Sequence, residues 1–255
     1  MLRVGIIDFA NTLPLFHALT KNIIPHNCSL TFGKPTDINR ALSEGEIDVA
    51  SISSAHFLEH RLECILLSDL GVGATDEIIS IRLFSKKTPA ELDKETIFIP
   101  PKSASSVKIL KTLCKCFWKV NPSFVLYDGA VENLFHQDLP FLMIGDKCLN
   151  FFEKHPLYPS IDLASTWNSI TKKSFLLAVI ATRNDAFFHK PQEVIDFHKC
   201  LERSYCWSLN NKREIIAEAL KKTGCSSSLL EKYYSVLEYQ LTPKHFNGLD
   251  YLSTL

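Results

Sequence analysis

Four short polar clusters carry the residue types that hold and orient a small anion: Asp8-Phe9-Ala10-Asn11-Thr12, Ser51-Ile52-Ser53-Ser54, Lys102-Ser103-Ala104-Ser105-Ser106 and Gly145-Asp146-Lys147. Each follows a short apolar run, and three stand where a helical pattern begins. Backbone N–H groups in the first turn of a helix lack partners inside the helix. Adjacent hydroxyls add further donors, so such places suit carboxylates or phosphates. Each Ser, Thr or Asp is also a helix cap worth about 1 kcal/mol. For a single loop the cap is the simpler reading; four loops on one edge of a sheet point to an anion-binding cleft. The chain holds neither a Walker lysine loop nor G-x-G-x-x-G, which argues against a nucleotide or dinucleotide cradle.

Other chemistry-bearing residues give weaker signals. Arg82 alternates with Ser80 and Phe84 in a strand that otherwise reads as buried, and is either an ion-pair partner or a carboxylate clamp. His56 and His60 have metal-ligand spacing on a helix, but no acidic third ligand is signalled beyond Glu59, so no metal is expected. The eight cysteines include no C-x-x-C pair and read as reduced thiols, mostly core filling. Cys114 and Cys116, two apart on a helix, point in different directions.

The elements that must position these groups alternate. Strand patterns at 2–7, 29–32, 47–52, 65–70 and 78–84 are interleaved with helical ones from residue 12, over 36–45 and through His56 and His60. A second cycle has strands at 96–99, 124–127, 140–144, 160–163 and 175–181, with a helix over SASSVKILKTLCKCFWKV. From Pro191 the pattern is helical to the end. Such α/β alternation predicts mostly parallel sheets covered by helices. Two cycles predict two lobes: 1–84 with 184–255 as the first, 85–183 as the second, with crossings near 83–87 and 180–184. The helical tail then packs back on the first lobe, and the ligand cleft lies between lobes, outside the carboxyl ends of the strands.

Composition limits the partners. With 46% hydrophobic and 22% charged residues in 255, the chain can bury a large core. Lys plus Arg and Asp plus Glu both number 28, and zero net charge removes the electrostatic case for bulk nucleic-acid binding. The first apolar run breaks at Asp8 and no run reaches the roughly 20 residues of a membrane span, so a cytoplasmic protein away from the membrane is expected.

Taken in order, DFANTLPL, KPTDINRALSEGEIDVASISSAHF, SIRLFSK, PPKSASSVKIL, LMIGDKCL and DLASTWNSITKKSFLLAVIATR resemble the chorismate dehydratase family of the futalosine route to menaquinone. The likeness covers about residues 3–183; single motifs are weak and the ordered set is fairly specific. It implies a two-lobed, type 2 periplasmic-binding-protein-like fold and the loss of water from chorismate to give 3-[(1-carboxyvinyl)oxy]benzoate, with no cofactor. The implied partner is a small dianionic carboxylate. On that basis Ser53, Ser54, Ser105 and Ser106 are expected to bind carboxylates, and Asn11 to orient the ring hydroxyl or ether. Thr12, Ser80, Ser103 and Arg82 are expected to face the ligand. Asp146 is either a cleft acid or, the simpler reading, a helix cap. No residue is signalled as general base. A non-catalytic carboxylate binder of the same fold and the sister dihydroxynaphthoate synthase are the alternatives.

Overall fold

A computed structural model of the chain describes residues 1–101 and 103–255. Lys102 of the third polar cluster lies outside the described residues. Strand β1 (Leu2–Ile7) leads through a turn of 3-10 helix (Ala10–Thr12) into α1 (Leu13–Thr20). Then come β2 (Cys28–Gly33), α2 (Pro35–Ser43), β3 (Val49–Ser53), α3 (Ser54–Glu59) and β4 (Cys64–Ala74). The middle of the chain forms β5 (Ile81–Phe84), β6 (Thr96–Ile99), α4 (Ala104–Thr112), β7 (Ser123–Leu126), α5 (Val131–His136), β8 (Phe141–Ile144), α6 (Gly145–Lys154), β9 (Ser160–Asp162) and α7 (Leu163–Thr171). Strand β10 (Phe175–Arg183) returns, followed by α8 (Asn184–His189), α9 (Pro191–Asn210), α10 (Lys212–Thr223), α11 (Ser227–Val236), β11 (Glu238–Gln240) and α12 (Pro243–Ser253). No described helix is long and apolar enough to cross a membrane.

The strands form two sheets, ordered β2-β1-β3-β10-β4-β11 and β7-β6-β8-β5-β9. Strands β1, β2 and β3 run parallel, and β4 joins their direction across the antiparallel β10. The second sheet repeats the plan, with β6, β7, β8 and β9 in one direction and β5 against them. Parallel neighbours need a crossover of a dozen or more residues, which the intervening helices supply. Each sheet is thus split by one strand at the point where the chain passes between lobes.

Those passages fall at residues 75–80 and 163–174, not near 83–87 and 180–184 as the pattern suggested, because β5 pairs in the second sheet and β10 in the first. A run such as FLLAVIA fixes a buried strand but not which sheet it enters. Strand β4 also continues past Leu70, where the strand pattern at 65–70 ends, and takes in two glycines. A Cβ on Gly71 would sit 2.6 Å from the Ala178 carbonyl oxygen, and one on Gly73 2.5 Å from the His245 ring. These glycines admit close neighbours within a strand. The tail is not wholly helical either, since β11 pairs with β4. Helix α9 packs along α1, on the first lobe. The buried Asp48 anchors the tail's start by binding both Arg3 and, at 2.8 Å, Lys190.

Both passages meet at Asp162. Its carboxylate accepts from the N–H groups of Ile78 (3.2 Å), Ile79 (2.7 Å), Ala164 (3.0 Å) and Ser165 (3.1 Å) and lies 3.2 Å from Arg82 Nη1. Ile79 has a φ of 59°, a left-handed conformation that costs a branched residue about 1–2 kcal/mol. Burial pushes the Asp162 carboxyl above its usual range, against the amide donors and Arg82 that favour its charge. Removing it leaves the Arg82 charge without its carboxylate and four donors unpaired. Asp162→Ala should therefore lower the unfolding free energy by about 3–5 kcal/mol in urea titration, and Asp162→Asn by less.

Candidate functional site

Between the sheets, at the carboxyl ends of β1, β3 and β8, lies a cavity whose empty space is about 680 Å³ with the open solvent at its mouth included. Its walls are mainly apolar: Ile7, Phe9, Ile81, Ile144, Phe175 and Leu177. Its polar groups are Asn11, Thr12, Thr36, Asn39, Ser53, Ser80, Ser103, Ser105 and Ser106. Among the described lining residues no side chain is ionisable. An apolar slot with few convergent hydrogen-bonding groups suits a ring that bears polar substituents.

Each polar group is set by its local structure. Asn11 and Thr12 sit in the 3-10 turn after β1. Thr12 Oγ1 donates to the Phe9 carbonyl oxygen (2.8 Å) and contacts that of Ile7 (3.0 Å), so this hydroxyl braces the turn. Ser53 caps α3, accepting from His56 N–H at 3.3 Å, and also accepts from Asn39 Nδ2 at 3.0 Å. With both lone pairs engaged, its own proton is what Ser53 has left to offer. On the opposite wall, Ser103 precedes α4 without forming a capping hydrogen bond, and Ser106 is buried beside it. Ser105 Oγ accepts from Ala55 N–H at 3.2 Å, joining the starts of α3 and α4 across the cleft.

Three expected residues stand elsewhere. Ser54 is buried in the first turn of α3 but does not line the cavity. Arg82 takes the ion-pair role. Besides Asp162 it donates to Ser160 Oγ at 2.9 Å and lies 4.3 Å from the centre of the Phe152 ring, in a separate surface depression. Alternating side-chain direction on β5 explains this, because Ile81 faces the cavity and Arg82 faces away. Asp146 is neither a cavity residue nor a side-chain cap of α6, and its Oδ1 accepts from Ala10 N–H of the opposite lobe at 2.9 Å. The preceding Gly145, at φ 62°, permits this approach, since a Cβ there would lie 2.7 Å from the Phe9 ring. His56 also faces outward, against Ser43 and the His60 ring; burial and then His60 hold its pKa below the usual histidine value. Among the described residues no group of three or more His, Cys, Asp or Glu is placed to hold a metal.

Sequence reading missed three contributors. Asn39 and Thr36 share one face of α2 at helical spacing, a pattern available from the sequence. Tyr233, in α11, is fully buried with its hydroxyl 3.0 Å from Ser80 Oγ, and nothing local in SLLEKYYSVL marks it.

Burial pushes the Asp146 carboxyl up to about 6, against the Ala10 hydrogen bond and the charge of Lys222. A raised carboxyl pKa means that ionisation costs the folded state stability, fully above about pH 6 and not at all below the unfolded value near 4. Asp146→Asn keeps the acceptor for Ala10. It should unfold about 1–2 kcal/mol less readily than the parent at pH 8, with the gap closing between pH 6 and 4 in thermal melts.

A family model described as menaquinone biosynthesis matches residues 2–255. The chorismate dehydratase of Thermus thermophilus is 26% identical over 263 residues, covering 96% of this chain and 92% of that one. Among solved structures, a protein of Archaeoglobus fulgidus superposes with a TM-score of 0.80 at 18% identity, covering 99% of this chain and 95% of that one. The periplasmic aliphatic sulphonate binding protein of Escherichia coli gives 0.65 at 14% identity, over 93% and 84% of the two chains. The structural likenesses establish a two-lobed, periplasmic-binding-protein-like fold. Since the family match takes in both sheets, the cleft between them and the tail, the chain belongs to the menaquinone-biosynthesis family.

Proposed function

We propose that this protein is a chorismate dehydratase acting on the futalosine route. The observation that carries the reading is a cavity with apolar walls and a rim of hydroxyls and amides but no ionisable side chain among its described lining residues. The name of the Thermus relative supports it. In the reaction the C–H bond at the ether-bearing carbon breaks, its electron pair enters the ring, and the ring hydroxyl departs with a proton as water. Aromatisation drives this step, so the protein's task is to hold the dianion rigidly and exclude water rather than to supply a strong base or a cofactor. The substrate's enolpyruvyl carboxylate is placed by its own chemistry to take the proton.

In this reading the Ser53 hydroxyl binds one carboxylate, and Ser103, Ser105 and Ser106 at α4 bind the other. Asn11 and Ser80 hold the ring hydroxyl as it leaves. The ring lies against Phe9, Ile144 and Leu177, which keep water from it.

Incubation of purified protein with chorismate should yield the aromatic enol ether, followed by absorbance and chromatography. Asn11→Ala should lower kcat about 10²-fold, and Ser106→Ala should chiefly raise KM. An unchanged chorismate pool, alongside a thermal shift with chorismate, would instead identify a carboxylate-binding protein without turnover.

A further inference from the structure

Asn11 and Ser80 approach the cavity from different lobes, one after β1 and one in the passage to β5, and the tail helix α11 bonds to Ser80 itself and to Ala10 beside Asn11. Tyr233 is fully buried and does not line the cavity. Its hydroxyl donates to Ser80 Oγ at 3.0 Å. The same helix pins the flanking backbone. Tyr234 donates to the Ala10 carbonyl oxygen at 2.8 Å, and Lys232 pairs with Glu77 at 2.8 Å, three residues before Ser80.

A phenol has one proton to give and an oxygen that accepts. With that proton on Ser80 Oγ, Ser80 has its own proton left for the cavity. We propose that Tyr233 is a positioning residue, fixing Ser80 as a hydrogen-bond donor to the ligand. Burial pushes the phenol far above its usual range, so it stays neutral and keeps its proton at any working pH. A phenol that only filled space would leave the Ser80 hydroxyl free to turn.

The kinetic part of the test rests on the dehydratase reading; the spectroscopic part does not. Tyr233→Phe removes one oxygen. The control is Tyr239→Phe, because Tyr239 is also buried in the tail and its hydroxyl has no hydrogen-bond partner among the described residues. The expected result for Y233F is a loss of about tenfold or more in kcat with KM within about threefold. In ¹⁵N–¹H spectra its Ser80 backbone amide should shift, while Y239F matches the parent in both measurements. Parental kcat in Y233F, or an unmoved Ser80 resonance, overturns the proposal. Should the parent leave chorismate unchanged, the dehydratase reading fails and the Ser80 resonance alone decides the role of Tyr233. If Y233F does not fold, Ser80→Ala replaces it: removing the acceptor must move the Tyr233 ring resonances, and static ring resonances overturn the proposal.

Discussion

One buried carboxylate, Asp162, holds together the two places where the chain passes between sheets. By gathering the N–H groups of Ile78 and Ile79 it stabilises a left-handed isoleucine that the backbone would otherwise avoid. Ser80 follows directly, so the direction of that serine depends on the strain held one residue earlier. Its carbonyl oxygen in turn accepts from Gly145 N–H at 2.8 Å, and Gly145 is where Phe9 of the other lobe comes to rest. A path of short contacts therefore runs from the hinge to both walls of the cavity. Arg82 is consumed in this frame, because a carboxylate so deeply placed requires a cation beside it.

What faces the ligand follows from that division of labour. Among the described residues, charge stands in the scaffold rather than on the cavity lining, at Asp162–Arg82, Asp48–Arg3 and Lys222–Asp8. The described lining offers hydroxyls, amides and helix starts. Neutral donors bind an anion without forming a tight ion pair that would resist product release. In the proposed reaction they also preserve the basicity of the substrate carboxylate that takes the proton. A lysine or arginine clamped on the same group would lower that basicity.

The polar clusters were legible because strand ends and helix starts have strong local signatures: SISS after IDVA, and SASS after the Pro100-Pro101 stop. Both lie on the cavity, although Ser54 turns into its own helix. The strands were legible from their apolar runs, but their partners were not. Nothing within residues 175–183 says that this strand inserts between β3 and β4. Arg82 was ambiguous because alternation predicts two faces without saying which is the cleft. Tyr233 was illegible for a different reason. Its role depends on a contact spanning 153 residues of sequence, and at helical spacing a buried tyrosine looks like any other core residue.

The place of β10 has a consequence for the order in which the molecule is assembled during synthesis. The second sheet is drawn from one continuous stretch, β5 to β9, and can close as soon as that stretch leaves the ribosome. The first sheet cannot, because β3 and β4 are neighbours only through β10, which is made after the entire second lobe. The usual amino-to-carboxyl order of folding is thereby reversed for the two lobes, with the later-made one complete first. The nascent amino-terminal strands must wait, with edges open to mispairing, until about a hundred further residues have been added.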